Sequence, residues 1–177
     1  MASPSEEQRK RFGPKVAPFE RKLKIGITDK VVKQVHANRK YYDVFGHDAR
    51  DNNLPDDCRR LSAAEMESIN RDPTSPLKRE KCYLWILDDD GVKILWEGIN
   101  NLEDEEAGLV KHTNITGGST AYLGGEMYFE DGVRIHINTR SDRYGGHPRE
   151  FEFENEWHGV LQYIQAVFMK YEIVPAS

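Results

Sequence analysis

This 177-residue sequence is poor in cysteine, in long apolar runs and in positive charge. Its two cysteines, Cys58 and Cys82, form no CxxC motif and are too few for a cysteine zinc site. In a chain without an export signal they indicate reduced thiols. The stretch MASPSEEQRK has no apolar signal core, and no run approaches the roughly 18 apolar residues of a membrane span. We therefore expect a cytoplasmic protein with no membrane contact, no metal and no cofactor.

The charge balance bears on the kind of partner. The chain carries 30 acidic and 25 basic residues, a formal net charge of -5. This argues against a protein that binds nucleic acid by bulk attraction to phosphates. It leaves room for an enzyme that contacts RNA through one local cationic spot.

The first 25 residues differ from this average, because basic residues dominate there. These are Arg9, Lys10, Arg11, Lys15, Arg21, Lys22 and Lys24. Three prolines, Pro4, Pro14 and Pro18, break any long helix. We predict a basic flexible arm over residues 1–26 and a single α+β domain over residues 27–177. The arm is either a solubilising tail or a segment that docks on an acidic partner or on the domain's own acidic middle.

Three stretches have helical patterns. The segment TDKVVKQVHANRKYY, residues 28–42, starts at a plausible N-cap, Thr28. Ser62 with Glu65 forms a capping-box pattern that opens a short helix. Apolar residues near the end of the chain recur at helical spacing and predict an amphipathic helix of about four turns. They are Trp157, Val160, Leu161, Ile164, Val167, Phe168 and Tyr171.

The middle of the chain has the composition of strands. CYLWIL, a DDDG turn and VKILWEG predict one hairpin, and STAYLGGEMYF with VRIHINTR predicts a second. GLVKHTNITGG predicts a short strand that runs into a glycine turn. The fold class is therefore α+β: an antiparallel sheet of two hairpins, with an N-terminal helical segment and a C-terminal amphipathic helix packed on one face.

The register of the second hairpin decides which side chains meet. A three-residue loop, Glu130-Asp131-Gly132, places glycine at the left-handed third position. It pairs Phe129 with Val133, Tyr128 with Arg134, Met127 with Ile135 and Glu126 with His136. Alternation then puts Met127, Phe129, Val133, Ile135 and Ile137 on one face. The other face carries four polar residues, Glu126, Tyr128, Arg134 and His136.

These four polar residues suggest a chemistry. A carboxylate at Glu126 and an imidazole at His136 would lie about 5 Å apart at Cβ, and an arginine one rung away could hold a phosphate. Base, acid and cation are the groups needed for metal-free RNA cleavage. The structural alternative is that opposite charges across a solvated sheet face simply stabilise the sheet.

Two neighbouring segments add candidates for binding an anion. KHTNITGG places His112 and Thr113 before the paired glycines Gly117 and Gly118, whose N–H groups could form an anion-binding concavity. TRSDRYGGHP then places cationic and aromatic residues in a loop after a strand, where binding residues are common. They are Arg140, Arg143, Tyr144 and His147. Tight turns and a solvated loop are the structural alternatives.

The string from His112 to Tyr144 resembles a core of plant calmodulin-binding IQ-motif proteins and of related small bacterial proteins. The matching residues are His112, Thr113, Gly117, Gly118, Gly125, Asp131, Gly132, Ser141 and Tyr144. Asp142 and Arg143 depart from the plant pattern, and the IQ segment is absent, so calmodulin binding is not implied.

A second, weaker resemblance is to barnase-like microbial ribonucleases. It implies that Glu126 is the base and that Arg134 and Tyr144 follow it in the chain order of that family. Arg143 stands at the position where that family has its histidine. His136 or His112 would then be the general acid. ADP-ribosyl transferases are more distantly similar, through His112-Thr113 and Tyr128 with a glutamate from Glu150, Glu152 or Glu154.

Two functions are consistent with these patterns. One is a metal-independent, toxin-like ribonuclease with Glu126, His136 and His112 as catalytic residues. Its substrate-binding residues would be Arg134, Arg143, Tyr128, Tyr144, Thr113, Gly117 and Gly118. The other is a non-enzymatic interaction domain that binds a protein partner or inhibitor through the sheet face or the basic arm. ADP-ribosyl transfer is a minor third possibility.

Overall fold

The computed structural model describes residues 3–18, 59–98, 110–146 and 151–176, without the side chains of residues 151–153. Within these ranges the helices are α1 Glu6–Arg11, α2 Ala63–Arg71, α3 Pro76–Lys81, α4 His112–Thr116 and α5 Phe151–Val167. The strands are β1 Arg60–Leu61, β2 Cys82–Asp88, β3 Gly91–Trp96, β4 Leu123–Glu130, β5 Arg134–Ile137 and β6 Glu172–Pro175. The helix predicted over residues 28–42 lies outside the described residues.

The strands form one mostly antiparallel sheet in the order β3-β2-β4-β5-β6. Both predicted hairpins are confirmed, as β2–β3 and β4–β5. β6 pairs in parallel with β5, and the short β1 pairs in parallel with the end of β4. Neither parallel strand was predicted, because both depend on where the tertiary fold returns the chain. The α+β class is confirmed.

One face of the sheet, which we call the apolar face, carries the main hydrophobic core. Met127 and Phe129 of β4 and Ile135 and Ile137 of β5 point into it, and all are fully buried. Helix α5 packs on this face as its periodicity predicted, and Trp157 stacks on Trp85 with ring centroids 6.1 Å apart. The alternation of the two strands therefore assigned these side chains correctly.

The opposite face, which we call the second face, is covered by other helices. Met66 and Ile69 of α2 pack on Cys82 and Tyr128 at one end. At the other end, Ile115 of α4 packs in a second apolar cluster. The capping box of α2 is confirmed, since Ser62 accepts from the N–H of Glu65 and the Glu65 carboxylate accepts from Ser62. This face is therefore covered by protein.

The described part of the N-terminal segment contacts the rest of the domain. Residues 3–18 pack on the domain: Phe12 is buried, with its ring 5.3 Å from that of Tyr122, and Val16 bridges to Ala121 in the backbone. Lys15 forms an ion pair with Asp89 in the β2–β3 turn. Residues 19–26 of the predicted arm lie outside the described residues.

The predicted register of the second hairpin is wrong, although its faces are right. Glu130 pairs with Arg134 and Tyr128 with His136, so the pairing is displaced by two residues from the prediction, which keeps the side chains on their predicted faces. The loop residues are left-handed at Asp131 (φ 46°) and Gly132 (φ 71°), and Val133 is 57% exposed instead of lying in the core. β1 explains the shift, because its pairing with Phe129 and Glu130 keeps β4 extended through Glu130.

The short strand predicted in GLVKHTNITGG is also wrong over the described residues, where His112–Thr116 form helix α4. The side chain of Asn114 accepts a hydrogen bond from the N–H of Lys111 at 2.7 Å and so satisfies the first turn. Gly117, with φ 63°, ends the helix in the left-handed conformation that glycine adopts without strain. Local capping outweighs the strand preference of the sequence here.

Candidate functional site

Three hydrogen-bond donors from three elements converge on Glu126 in the middle of the second face. The Lys78 Nζ of α3 lies 2.7 Å from Oε1, while Asn138 Nδ2 and the Tyr128 hydroxyl donate to Oε2 at 3.2 and 3.4 Å. The Glu126 residue is only 8% exposed. Lys78 and Glu126 therefore form a largely buried ion pair, which requires such additional donors to offset its desolvation.

Asn138 reaches Glu126 because β4 and the end of β5 come very close together. A Cβ on Gly125 would lie 1.9 Å from the carbonyl oxygen of Asn138, so only glycine fits there. The side chain of Asn138 also accepts from the N–H of Glu126 at 3.0 Å, and its carbonyl accepts from Trp85 Nε1 at 3.0 Å. The backbone thus fixes the carboxylate and its amide partner together.

His136 contacts a different glutamate from the one predicted. Its Nε2 lies 2.5 Å from Oε2 of Glu130, and the Glu130 side chain is only 7% exposed. The Glu126–His136 pair expected from the sequence does not form, because the register places Tyr128 opposite His136. A carboxylate held on one ring nitrogen orients an imidazole, and this arrangement is common where histidine exchanges protons.

A pocket opens between α2 and the β4–β5–β6 part of the sheet, with a cavity volume of about 420 Å³. Its polar lining residues are Asn70, Lys78, Tyr128, His136, Asn138 and Arg140. Its apolar lining residues are Met66, Ile69, Pro73, Val174, Pro175 and Ala176. The pocket therefore has one polar and one apolar wall. Two carboxylates lie behind the polar wall: Glu126, which contacts Lys78, and Glu130, which contacts His136.

The polar layer continues across the sheet from the pocket toward β3. Burial and the nearby Glu126 raise the pKa of the Glu97 carboxyl. Burial, Glu97 and Glu126 together raise the pKa of the Cys82 thiol well above its ordinary value. The thiol is therefore un-ionised at neutral pH and unsuited to act as a nucleophile.

His112, the alternative acid of the predicted site, lies beside β4 in the interior. It is buried, and burial lowers its pKa to about 4. Its Nε2 lies 2.8 Å from the carbonyl oxygen of Gly125. A carbonyl only accepts, so Nε2 carries the proton and the ring is neutral near pH 7. The histidine therefore links α4 to β4.

The two arginines predicted to hold a phosphate lie apart from the pocket. Arg134 is on the sheet surface, where its Nε donates to Glu172 at 3.1 Å. Arg143 is half-buried near Lys111, and burial together with Arg143 lowers the pKa of Lys111. Neither arginine lines the pocket, although Nη1 of Arg134 lies 3.8 Å from the same Glu130 oxygen that His136 contacts.

The remaining predicted binding residues have structural contacts. The Tyr144 hydroxyl lies 2.7 Å from both Thr116 Oγ1 and the Ser119 carbonyl, in a fully buried position. Thr113 is also buried. Gly117 and Gly118 both have positive φ, and the N–H of Gly118 donates to Thr116. Of the predicted substrate-binding residues, Tyr128 lines the pocket.

Three residues of the pocket lining, and the Glu130 carboxylate behind it, were missing from the predicted site. Asn138 continues the alternation of β5 and could have been found from it, and Arg140 had been noted in its loop. Glu130 was assigned to the turn by the wrong register. Lys78 gave no signal, because its approach to Glu126 depends on how α3 packs.

The structure also shows where two residues of the ADP-ribosyl-transfer prediction lie. Glu154 is exposed on α5, the helix that packs on the apolar face, whereas His112 lies on the second face; the side chains of Glu150 and Glu152 lie outside the described residues. Among the described residues, no group of three or more His, Cys, Asp or Glu side chains could hold a metal ion. No helix in the described ranges is both long and apolar enough to cross a membrane.

Comparison with known proteins gives no further assignment, since no family model, no curated protein and no solved structure matches this chain. The resemblances to IQ-motif proteins and to barnase-like ribonucleases therefore stay predictions.

Proposed function

We propose that this chain is a binding domain that recognises an anionic group with an apolar body through the pocket between α2 and the sheet. The observation that carries the proposal is the two-sided lining. Lys78 and Arg140 contribute positive charge, none of the twelve described lining residues is a carboxylate, and the opposite wall is apolar. The volume of about 420 Å³ lies within the range of about 300–1,000 Å³ typical of ligand pockets.

The construction of the polar wall supports this function. On the apolar face, the same two strands pack in a core of aliphatic and aromatic side chains. On the second face, the buried positions of Glu126, Tyr128 and Asn138 hold a hydrogen-bonded network instead. Buried polar groups need their partners in place, and a network of this kind holds side chains rigidly at a site before a ligand arrives.

The test is binding of three small probes that share a cyclohexane ring and differ in charge. These are cyclohexanecarboxylate, cyclohexanecarboxamide and cyclohexylmethylammonium, observed by saturation-transfer NMR with the full chain. We expect saturable binding of the anion alone, weakened at least tenfold by Arg140→Ala. Arg71→Ala, an exposed arginine on α2 outside the pocket lining, is the matched control and should bind like the wild type. Equal binding of all three probes, or of none, would overturn the proposal.

A second candidate, metal-independent RNA cleavage, is favoured by the contact between His136 and Glu130. An ionised carboxylate only accepts hydrogen bonds, so Nε2 carries a proton and Nδ1 of the neutral ring keeps its lone pair. In this reaction Nδ1 takes the 2′-hydroxyl proton, the 2′-oxygen–phosphorus bond forms, and the phosphorus–5′-oxygen bond breaks. The leaving oxygen takes a proton from the Lys78 ammonium, and Arg140 neutralises the phosphorane.

This candidate assigns the base to His136 in place of Glu126 and is tested with mixed-sequence RNA in excess EDTA. We expect 2′,3′-cyclic phosphate ends from the wild type and from Glu126→Gln, and intact RNA from His136→Gln. Cleavage lost in Glu126→Gln but kept in His136→Gln would return the base to Glu126. Intact RNA with the wild type would reject cleavage.

A further inference from the structure

We infer that the ligand of this pocket is a monocarboxylate on a compact apolar body, a conclusion that rests on the proposed binding function. Two sources share this chemistry: a free branched or cyclic carboxylic acid, and the C-terminal residue of a peptide. Three features of the pocket distinguish this class from other anions: the donor pattern of the polar wall, its charge balance and the extent of its apolar wall.

The donor pattern is the first feature, because the wall already binds one carboxylate in a bidentate arrangement. Lys78 contacts one oxygen of Glu126, while Tyr128 and Asn138 donate to the other. A lysine ammonium has three donors, and Glu126 uses one of them. Lys78 can therefore contact a second carboxylate on the pocket side while it keeps Glu126 in place.

The charge balance is the second feature. The lining carries two positively charged side chains, Lys78 and Arg140, and two carboxylates, Glu126 and Glu130, lie behind it. Because these carboxylates offset the positive charge, the wall suits a ligand that carries no more than one negative charge. A phosphate monoester, which carries about 1.5 to 2 negative charges near pH 7, would place uncompensated charge against the Glu126 and Glu130 carboxylates.

The apolar wall is the third feature. Six of the lining residues are apolar and come from α2, the segment after it, β6 and the residue that follows β6. A ligand that fills the cavity must bury hydrocarbon against Met66, Ile69 and Val174, at roughly 25 cal/mol per Å² of apolar surface removed from water. The sugar of a nucleic-acid phosphodiester is polar over most of its surface and would leave its hydroxyl groups unpaired there. An apolar acid satisfies both walls.

The test is a calorimetric comparison of four probes of similar size with the full chain. We expect 4-methylpentanoate to bind at least tenfold more tightly than 4-methylpentanamide, which has the same shape without the charge, and than isopentyl phosphate. N-acetyl-leucine distinguishes the sources: tighter binding than 4-methylpentanoate indicates a peptide C-terminus, and weaker binding indicates a free acid. Either result supports the carboxylate class.

A double variant, Lys78→Met with Glu126→Gln, removes both members of the ion pair and so leaves no unpaired buried charge. We expect it to fold and to lose at least tenfold in affinity for 4-methylpentanoate; unchanged affinity would overturn the role of Lys78. If isopentyl phosphate binds and 4-methylpentanoate does not, the carboxylate class is wrong and the binding function stands. If no anion binds, both proposals fail.

Discussion

The two faces of one sheet exclude water by different means. Phe129 and Tyr128 are neighbours on β4 and are equally buried, with exposures of 1% and 3%. Phe129 contacts the hydrocarbon core beneath α5, whereas Tyr128 joins a network that includes Glu126 and borders a pocket. The comparison shows that a polar strand face need not be a solvated face. Helices α2, α3 and α4 cover the polar residues, and the pocket is a gap in that cover.

The largest loss of stability is expected from a substitution on the apolar face. Phe129→Ala removes a fully buried ring and leaves a cavity, so the free energy of unfolding should fall by about 3–5 kcal/mol, as measured by urea denaturation. Val133→Ala is the control, since Val133 is 57% exposed, and it should leave the denaturation midpoint nearly unchanged. A small effect of Phe129→Ala would mean that the core of this face is loosely packed.

Acid should destabilise the second face through His112. Its folded-state pKa of about 4 lies below its ordinary value of 6.5, so the unfolded chain binds more protons between those pH values. Its contribution to stability is therefore complete above about pH 6.5 and is lost as the pH falls toward 4. A shift of this size corresponds to about 3 kcal/mol.

NMR titration of the His112 ring measures this pKa directly. Urea unfolding at pH 7 and at pH 4.5 provides a second check: the stability lost between the two pH values should be smaller in His112→Gln than in the wild type. A ring that titrates near 6.5 would show that His112 is solvated.

Breaking the Lys78–Glu126 ion pair should lower the free energy of unfolding by less than Phe129→Ala or the protonation of His112. Glu126→Gln leaves the Lys78 ammonium without its carboxylate in a largely buried position, so stability should fall by about 1–3 kcal/mol. In a double-mutant cycle, Lys78→Met should cost little once Glu126 is already Gln, because the pair is lost in either single variant. Additive effects of the two substitutions would show that the pair is not coupled.

The smallest change in stability is expected from a substitution at the protein surface. Arg134→Ala removes an exposed ion pair with Glu172 and a longer contact, 3.8 Å, with Glu130. The Arg134 side chain is itself half exposed, and pairs made by exposed side chains contribute little. Neither the urea midpoint nor the affinity for cyclohexanecarboxylate should change measurably. A loss of affinity would return Arg134 to the binding site that the sequence had suggested.

Sequence patterns predicted the part of the structure that depends on local periodicity. Alternation in β4 and β5 assigned Met127 and Ile135 to the core, and helical spacing placed α5 on that face. The pocket depends on contacts between distant segments, so it could not be read from spacing. β1 shifts the register through its pairing with Glu130, and α3 brings Lys78 to Glu126. The structure places Tyr128 and His136 in the pocket lining and Glu126 behind it, with partners other than those predicted.

Two methionines on opposite faces allow the most direct test of the pocket's proposed role. Met66 lines the pocket and Met127 lies in the apolar core, and both are buried. The measurement is a ¹³C-methyl methionine NMR titration of the wild-type chain with cyclohexanecarboxylate. A saturable shift of the Met66 methyl with an unchanged Met127 methyl is the predicted result. A Met66 signal that stays fixed at saturating anion would contradict the claim that the second face carries a binding site.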